Sequence, residues 1–295
     1  MTNSIIIRAF KKARRYIAWK SHLKKYDQSK WYFVLKYGIG DAYLVCTLLK
    51  NFAVNQGEFI LIFEKQNQSC IPNLFFEEGI SYFDDKIPHK LVKEFGKQIQ
   101  GMPIVLHPID LNNQITKLIG YKKITLIDIY KILLNLDLNT QPNNILLPIK
   151  PLKEISYNNK ILLCPQANSV ATLPSSFWID LARRIESAGY EPVFMRASDN
   201  GHYENIDFEI KDTIQTCNNF HGIISLRSGF CDLISTCTTK ITIIYPDILW
   251  QSGKLIDGTG LVNMGLSTNN DKLLELVYAE TNIEATSNRI IKFIC

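Results

Sequence analysis

The chain has 295 residues, of which 46% are hydrophobic and 21% are charged, and its formal net charge is +5. This composition is typical of a soluble globular protein, and the length suits two domains. Seven scattered cysteines without a Cys-x-x-Cys pair disfavour a zinc or redox site and predict buried thiols in a reducing compartment. The sequence has no run of about 18 apolar residues, so we expect no segment that spans a bilayer.

The first 25 residues contain eight Lys and Arg side chains and no acidic one. Apolar residues are interleaved with them, at Ile6, Ile7, Phe10, Ala13, Ile17, Ala18 and Trp19. This pattern predicts an amphipathic helix on an anionic membrane surface, and the alternative is a helix packed on the protein or a frayed tail. The segment does not have the order of a signal peptide, and no nucleic-acid recognition motif accompanies it. We therefore expect an intracellular protein at the inner face of the cell membrane that binds no nucleic acid.

Strand-like and helix-like segments then alternate along the chain. In the first half, strands are predicted at 31–36, 59–63, 80–83 and 103–106, and helices at 41–55, 89–98, 113–119 and 124–136. After a link rich in Asn, Pro and Lys at 138–159, strands are predicted at 160–164, 191–195, 206–210, 222–226 and 240–245, and helices at 175–188, 212–219, 230–237, 271–279 and 284–293. This alternation predicts parallel sheets covered by helices. The predicted division is a basic segment at 1–30 and α/β domains at 31–150 and 151–295.

Three turns follow predicted strands, at residues 38–41, 165–169 and 227–229. Ligands of open parallel sheets bind outside the carboxyl ends of the strands, so two domains that face each other would place these turns in one cleft. The Gly38-x-Gly40 pair is a weak signal, because it lacks the third glycine of a dinucleotide fingerprint. Asp41 behind it is either a helix cap or a general base for an attacking hydroxyl. His107, after the strand at 103–106, is either a structural histidine or a residue of the cleft.

The turn at Arg227, Ser228 and Gly229 joins a buried strand to a helix. Unpaired amides at a helix start favour a phosphate, Gly229 lets a ligand approach the backbone, and Arg227 adds a cation. We interpret the turn as the seat of a diphosphate, against the alternative of an ordinary βαβ unit with a surface arginine. Arg196, after the strand at 191–195, is a second candidate cation. The sequence has no Asp-x-Asp triplet, which disfavours a metal-dependent transferase, so we expect no metal.

This order of segments resembles that of GT-B glycosyltransferases, and most of all the heptosyltransferase group, glycosyltransferase family 9. Residues 38–41 resemble the opening Gly-x-Gly-Asp of that family. Residues 161–169 with the helix behind them resemble the start of its donor domain, and residues 223–234 resemble its late strand with Asp-Ser/Thr-Gly and a helix carrying His. Residues 171–174 replace the donor-loop Lys of the family, Arg227 replaces the Asp, and the His is replaced around Asp232.

The resemblance implies two Rossmann-like domains facing across a cleft, and a metal-independent glycosyltransferase with a nucleotide sugar as co-substrate and no cofactor. The acceptor would be a lipid-linked or cell-surface glycan of polysaccharide, O-antigen or lipopolysaccharide biosynthesis. Asp41 would be the base, the acceptor side would hold Gly38, Gly40 and His107, and the donor would contact Gln166, Asn168, Ser169, Arg196, Arg227, Ser228 and Gly229. The alternatives are another GT-B enzyme such as a fucosyltransferase-like protein, a non-catalytic nucleotide- or glycan-binding protein of this fold, and a nicotinamide-dependent dehydrogenase.

Overall fold

The structure, a computed structural model, describes residues 2–76, 79–84, 86–145, 157–197, 201–267 and 271–295. Its helices are α1 Thr2–Leu23, α2 Ile39–Gln56, α3 His89–Phe95, α4 Pro108–Asn112, α5 Leu126–Leu133, α6 Ser175–Ser187, α7 Thr213–Asn218, α8 Gly229–Ile234, α9 Leu255–Thr259 and α10 Ile283–Ile294. Its strands are β1 Trp31–Leu35, β2 Phe59–Phe63, β3 Ser81–Phe83, β4 Pro103–Val105, β5 Tyr157–Cys164, β6 Glu191–Met195, β7 Glu204–Ile206, β8 Phe220–Leu226, β9 Lys240–Pro246, β10 Leu249–Trp250, β11 Gly253–Lys254 and β12 Leu273–Tyr278.

The first sheet has the strand order β3-β2-β1-β4, and all its pairs are parallel. Its strands are short apolar runs, as expected for parallel strands that are covered on both faces. On one face, Trp19 of α1 and Val92 of α3 pack on Val34 and Ile62 of the sheet. Helix α2 covers the other face.

The second sheet has the order β12-β9-β8-β5-β6-β7, again with parallel pairs. The chain winds outward from β5 in both directions, which is the strand order of a dinucleotide-binding Rossmann domain. Helices α6 and α10 cover one face through Trp178, Leu181, Ile290 and Ile294. The prediction of two Rossmann-like α/β domains is therefore confirmed.

The two domains share one buried apolar cluster. It runs from Phe33 of β1 through Leu44 of α2 to Phe230 of α8 and Tyr245 of β9. Helix α2 is buried on almost every side, because it packs on the first sheet and on α8 at the same time. A helix that is apolar all round is the expected sequence for such a position.

The helix predicted at 271–279 is wrong. Residues Leu273–Tyr278 form strand β12, which pairs with β9 in parallel. Leu276 and Tyr278 pack toward α6 and α10, whereas Leu273 and Val277, on the other face of the sheet, pack on the apolar cluster that the two domains share. Because both faces are covered, the run has no alternation that would separate a strand from a helix.

Other predicted bounds shift in smaller ways. The strand predicted at 206–210 is β7, which ends at Ile206, and the segment predicted as a helix at 113–119 holds a 3₁₀ turn over Ile115–Leu118 behind α4. The hairpin β10–β11 was not predicted. Part of the link at 138–159, including the boundary near residue 150, lies outside the described residues, so the domain bounds stay predictions. None of the helices in the described part of the chain is both long and apolar enough to cross a membrane.

Candidate active site

Each sheet has a point where the strand order reverses, and ligands of such sheets bind there, outside the carboxyl ends of the strands. In the first sheet this point lies between β1 and β4, and the residues that follow these strands include Gly38–Asp41 and His107. In the second sheet it lies between β5 and β8, followed by residues 165–169 and 227–229. The three candidate turns of the sequence therefore lie at the carboxyl ends of the strands beside these two points.

Asp41 stands in the first turn of α2 and uses both carboxylate oxygens. The amide of Gly38 donates to Oδ2 at 3.2 Å, which caps the helix. The hydroxyl of Tyr130, a buried residue of α5, donates to Oδ1 at 2.7 Å. The side chain nevertheless stays 25% exposed. Asp41 is therefore a cap and, at the same time, a positioned carboxylate that a ligand can reach.

His107 presents one ring nitrogen to Asp41. Its Nδ1 accepts a hydrogen bond from the amide of Ile109 at 3.2 Å, so the neutral ring carries its proton on Nε2. Nε2 lies 3.8 Å from Oδ1 of Asp41. Burial lowers the pKa of His107 and outweighs the opposing effect of the carboxylates of Asp41 and Asp110. At neutral pH the imidazole is accordingly neutral and directs an N–H toward Asp41.

A charged cluster holds the His107 ring in place. The ring of Tyr37 stacks on it with the centroids 3.6 Å apart, and the Tyr37 hydroxyl donates to Asp110 at 2.6 Å. Lys93 donates to the other oxygen of Asp110 at 2.6 Å, and Lys36 lies 3.5 Å away. Burial would raise the pKa of Asp110, but the hydrogen bonds from Lys93 and Tyr37 lower it overall. An ionised Asp110 therefore anchors Tyr37, which supports His107.

The turn at residues 38–41, between β1 and α2, touches the turn between β8 and α8. A Cβ on Gly40 would lie 2.7 Å from Cα of Gly229, and a Cβ on Gly229 would lie 2.6 Å from the nitrogen of Gly40. Both distances are far shorter than real Cβ contacts, so each glycine is required by the other. The backbone that approaches Gly229 closely is that of Gly40, and the approach of a ligand to Gly229 stays a prediction.

Arg227 is buried and paired, which differs from the exposed guanidinium that the sequence suggested. Its Nη2 donates to Oδ1 of Asp232 at 2.8 Å and its Nη1 to Oδ2 at 3.2 Å. Its Nε donates to the carbonyl of Thr259 at 3.0 Å, and Nη1 also bonds the carbonyl of Ser228. Only 5% of Arg227 is exposed. The guanidinium is thus occupied within the protein.

Asp232 joins this pair to the first domain. Its Oδ2 would lie 2.5 Å from a Cβ on Gly40, so the carboxylate sits directly behind the Gly40 turn. Burial, with a smaller contribution from the charge of Asp41, raises the pKa of Asp232 to about 6 against the opposing attraction of Arg227. Arg227 and Asp232, two of the three places at which the sequence departs from the family it resembles, thus pair with each other.

The other predicted donor residues lie at the same edge of the second sheet. Gln166, Asn168 and Ser169 are exposed in the loop after β5, and Ser228 is half-buried beside the Gly40 contact. Arg196 lies at the end of β6 with φ of 51° and is 56% exposed. Its guanidinium bonds Asp207 and the carbonyl of Phe208, so it faces its own domain.

Four residues of the site were not predicted as functional: Tyr37, Asp110, Tyr130 and Asp232. Tyr130 reads as one more core residue of an apolar helix, and only its hydroxyl distinguishes it. Asp232 carried a usable signal, because an acid between Cys231 and Leu233 on a buried helix needs a partner. Among the residues that the structure describes, no group of three His, Cys, Asp or Glu side chains could hold a metal ion, and metal independence stays a prediction.

No protein-family model and no curated protein sequence matches the chain. Solved structures do match. The ADP-heptose LPS heptosyltransferase II of E. coli aligns with a TM-score of 0.59 and 13% identity, over 89% of this chain and 97% of that one. The iron-containing dodecameric glycosyltransferase TibC of E. coli aligns with a TM-score of 0.55 and 14% identity, over 77% of this chain and 60% of that one. A glycosyl transferase family 9 structure from Veillonella parvula aligns with a TM-score of 0.52 and 13% identity, over 90% of this chain and 91% of that one. The chain therefore has the two-domain GT-B fold that these glycosyltransferase structures share.

Proposed function

We propose that the protein is a glycosyltransferase that moves a sugar from a nucleotide sugar to a glycan hydroxyl. The observation that carries the proposal is the position of Asp41. Its carboxylate is one-quarter exposed at the ligand-binding edge of the first sheet, and the turn on which it stands touches the corresponding edge of the second sheet. A fold shared with heptosyltransferases supports this reading.

Asp41 would act as the general base. The acceptor oxygen forms a bond to the anomeric carbon, the bond from that carbon to the diphosphate oxygen breaks, and the acceptor proton passes to the carboxylate. Tyr130 and His107 would be positioning residues, because their O–H and N–H groups face Oδ1 of Asp41. The other oxygen, Oδ2, accepts from the amide of Gly38. The leaving group departs as a nucleoside diphosphate, and we propose that no metal ion takes part.

The donor would bind at the second sheet, against the exposed side chains of Gln166, Asn168 and Ser169 and against Ser228. Backbone amides of the two touching turns would meet the negative charge of the diphosphate. Arg227 would act indirectly, because it holds Asp232 behind Gly40. Heptosyltransferase II takes ADP-heptose according to its name. Because residues 171–174 replace the donor-loop Lys of that family, we propose a nucleotide sugar as the donor here without specifying its base or sugar.

The acceptor we propose is a lipid-linked or cell-surface glycan of polysaccharide, O-antigen or lipopolysaccharide biosynthesis. Such acceptors are assembled at the inner face of the cell membrane, and the basic first 30 residues would bring the enzyme there. The second candidate is a non-catalytic nucleotide- or glycan-binding protein of the same fold.

A thermal-shift panel of nucleoside diphosphates and nucleotide sugars tests the proposal. A ligand that binds only the folded state raises Tm by mass action, so one base and one sugar should stand out. The Asp41→Asn variant should show the same shift but release nucleoside diphosphate about a hundredfold more slowly, or slower still, when an acceptor is added. If no member of the panel raises Tm, the proposal fails. If wild type and variant bind the donor equally and neither turns it over, the non-catalytic alternative is correct.

A further inference from the structure

Helix α1 has two different apolar faces. Trp19 is 1% exposed and packs on Tyr32 and Val34 of the first domain, and Arg15 pairs with Glu94 of α3 at 3.1 Å. The last part of α1 is therefore fixed to the body of the protein. This packing explains the apolar residues of one face only.

The second apolar face points away from the protein. Ile7 is 53% exposed, Phe10 is 75% exposed and Ile17 is 69% exposed. With about 100° of rotation per residue, these three side chains fall within about 80° of one another. Trp19 lies about 120–180° around the helix from each of them. The structure thus leaves an apolar stripe uncovered on the side of α1 opposite to its packed face.

The charge around this stripe is of one sign. Arg14 lies within the stripe, and Lys11 and Lys20 flank it, all three exposed. No acidic side chain occurs before Asp27. Long basic side chains can lie along an apolar surface and keep the charged group in water, so these cations do not prevent insertion of Phe10 and Ile17.

We propose that the stripe formed by Ile7, Phe10 and Ile17 inserts into the interface of an anionic bilayer while Trp19 holds the helix on the enzyme. An anionic surface satisfies the uniform positive charge, and its acyl boundary takes up the apolar side chains. A nucleic acid would satisfy the charge but leave Phe10 and Ile17 in water. A second copy of the chain would place one basic helix against another. This contact deepens the proposed function, since it would hold the transferase beside a lipid-linked acceptor.

Vesicle flotation of the full chain tests the contact without any turnover, so its failure and a failure of the transferase proposal are separate results. Wild type should bind vesicles of phosphatidylcholine with 30% phosphatidylglycerol at about 0.15 M salt at least tenfold better than phosphatidylcholine alone. Phe10→Ser with Ile17→Ser should lower the binding at least tenfold with an unchanged Tm.

The matched control is Val54→Ser with Leu249→Ser, because these residues are 87% and 83% exposed elsewhere on the protein. It removes exposed apolar surface without changing charge and should bind like wild type. Three results would overturn the proposal: no binding of wild type to the anionic vesicles, equal binding of the Phe10 and Ile17 variant, or a wild-type dimer in light scattering that this variant abolishes.

Discussion

Gly40 and Gly229 meet backbone to backbone, with room for a Cβ on neither. Gly40 belongs to the first turn of α2 and Gly229 to the first turn of α8, so the contact joins the carboxyl ends of β1 and β8, one strand from each sheet. The geometry of the site thus depends on two residues that carry no side chain.

Gly40→Ala should destabilise the protein by about 1–3 kcal/mol, because the new methyl group would meet Asp232 and Gly229. The sign of the stability change distinguishes a close contact from an open turn. In an open helix turn alanine would instead stabilise by up to about 1 kcal/mol. Urea unfolding measures the difference. Gly38→Ala is the control from the same turn, since its Cβ would meet Asp41 only at 3.5 Å, and it should change stability far less. A stabilised Gly40→Ala protein would show that the two turns do not touch in solution.

Arg227→Met should cost about 3–5 kcal/mol, because it leaves the buried carboxylate of Asp232 without its partner. Adding Asp232→Leu should restore part of that loss, since an apolar pair avoids an uncompensated charge. Chemical unfolding of the two single variants and the double variant measures the coupling. Lys254→Met breaks the exposed pair with Asp247 and should cost about 1 kcal/mol or less. Additive losses in the double variant would contradict a coupled pair.

Asp41→Asn should lower sugar transfer by about a hundredfold or more, as expected for loss of a positioned base. Tyr130→Phe keeps the carboxylate but removes one donor to it, so transfer should fall by about tenfold. The rates are measured as nucleoside diphosphate release at saturating donor. Asp128→Asn is the matched control, because Asp128 caps α5 in the same way as Asp41 caps α2. Equal losses for Asp41→Asn and Asp128→Asn would reduce Asp41 to a helix cap.

The buried His107 should make stability depend on pH. Its pKa is lowered in the folded state, so the unfolded chain takes up the proton first as pH falls. The stabilising contribution is therefore complete above about pH 6.5 and is lost as pH falls through the lower folded value. His107→Asn can still accept the amide hydrogen bond of Ile109 but cannot titrate. Urea unfolding between pH 5 and 8 should show wild type losing stability relative to this variant at low pH. Parallel curves would contradict a neutral, buried His107.

The predicted segments agree with the structure where the pattern of one segment decides its conformation. The strand at Phe59–Phe63 and the helix that ends before Gly189 were predicted within a residue or two, because a short apolar run and a helix-ending glycine are local signals. Strand β12 was missed because its two faces pack on different helices, and only its neighbour β9 distinguishes it from a helix. Capping of α2 was one of the two alternatives predicted for Asp41 from Gly38-x-Gly40-Asp41, and its role as a general base stays a prediction.

The sequence by itself determined the alternation of strands and helices, the turns that follow the strands and the basic charge of the first helix, since these depend on neighbours along the chain. The tertiary structure alone decided that Arg227 faces Asp232, that Tyr130 donates to Asp41 and that Gly40 fits against Gly229. Each of these contacts joins residues from different elements or across a tight turn. The packing of the two sheets on α2 determines which residues meet. Because the contacts are buried, an unpaired charge or an extra methyl group there would destabilise the fold.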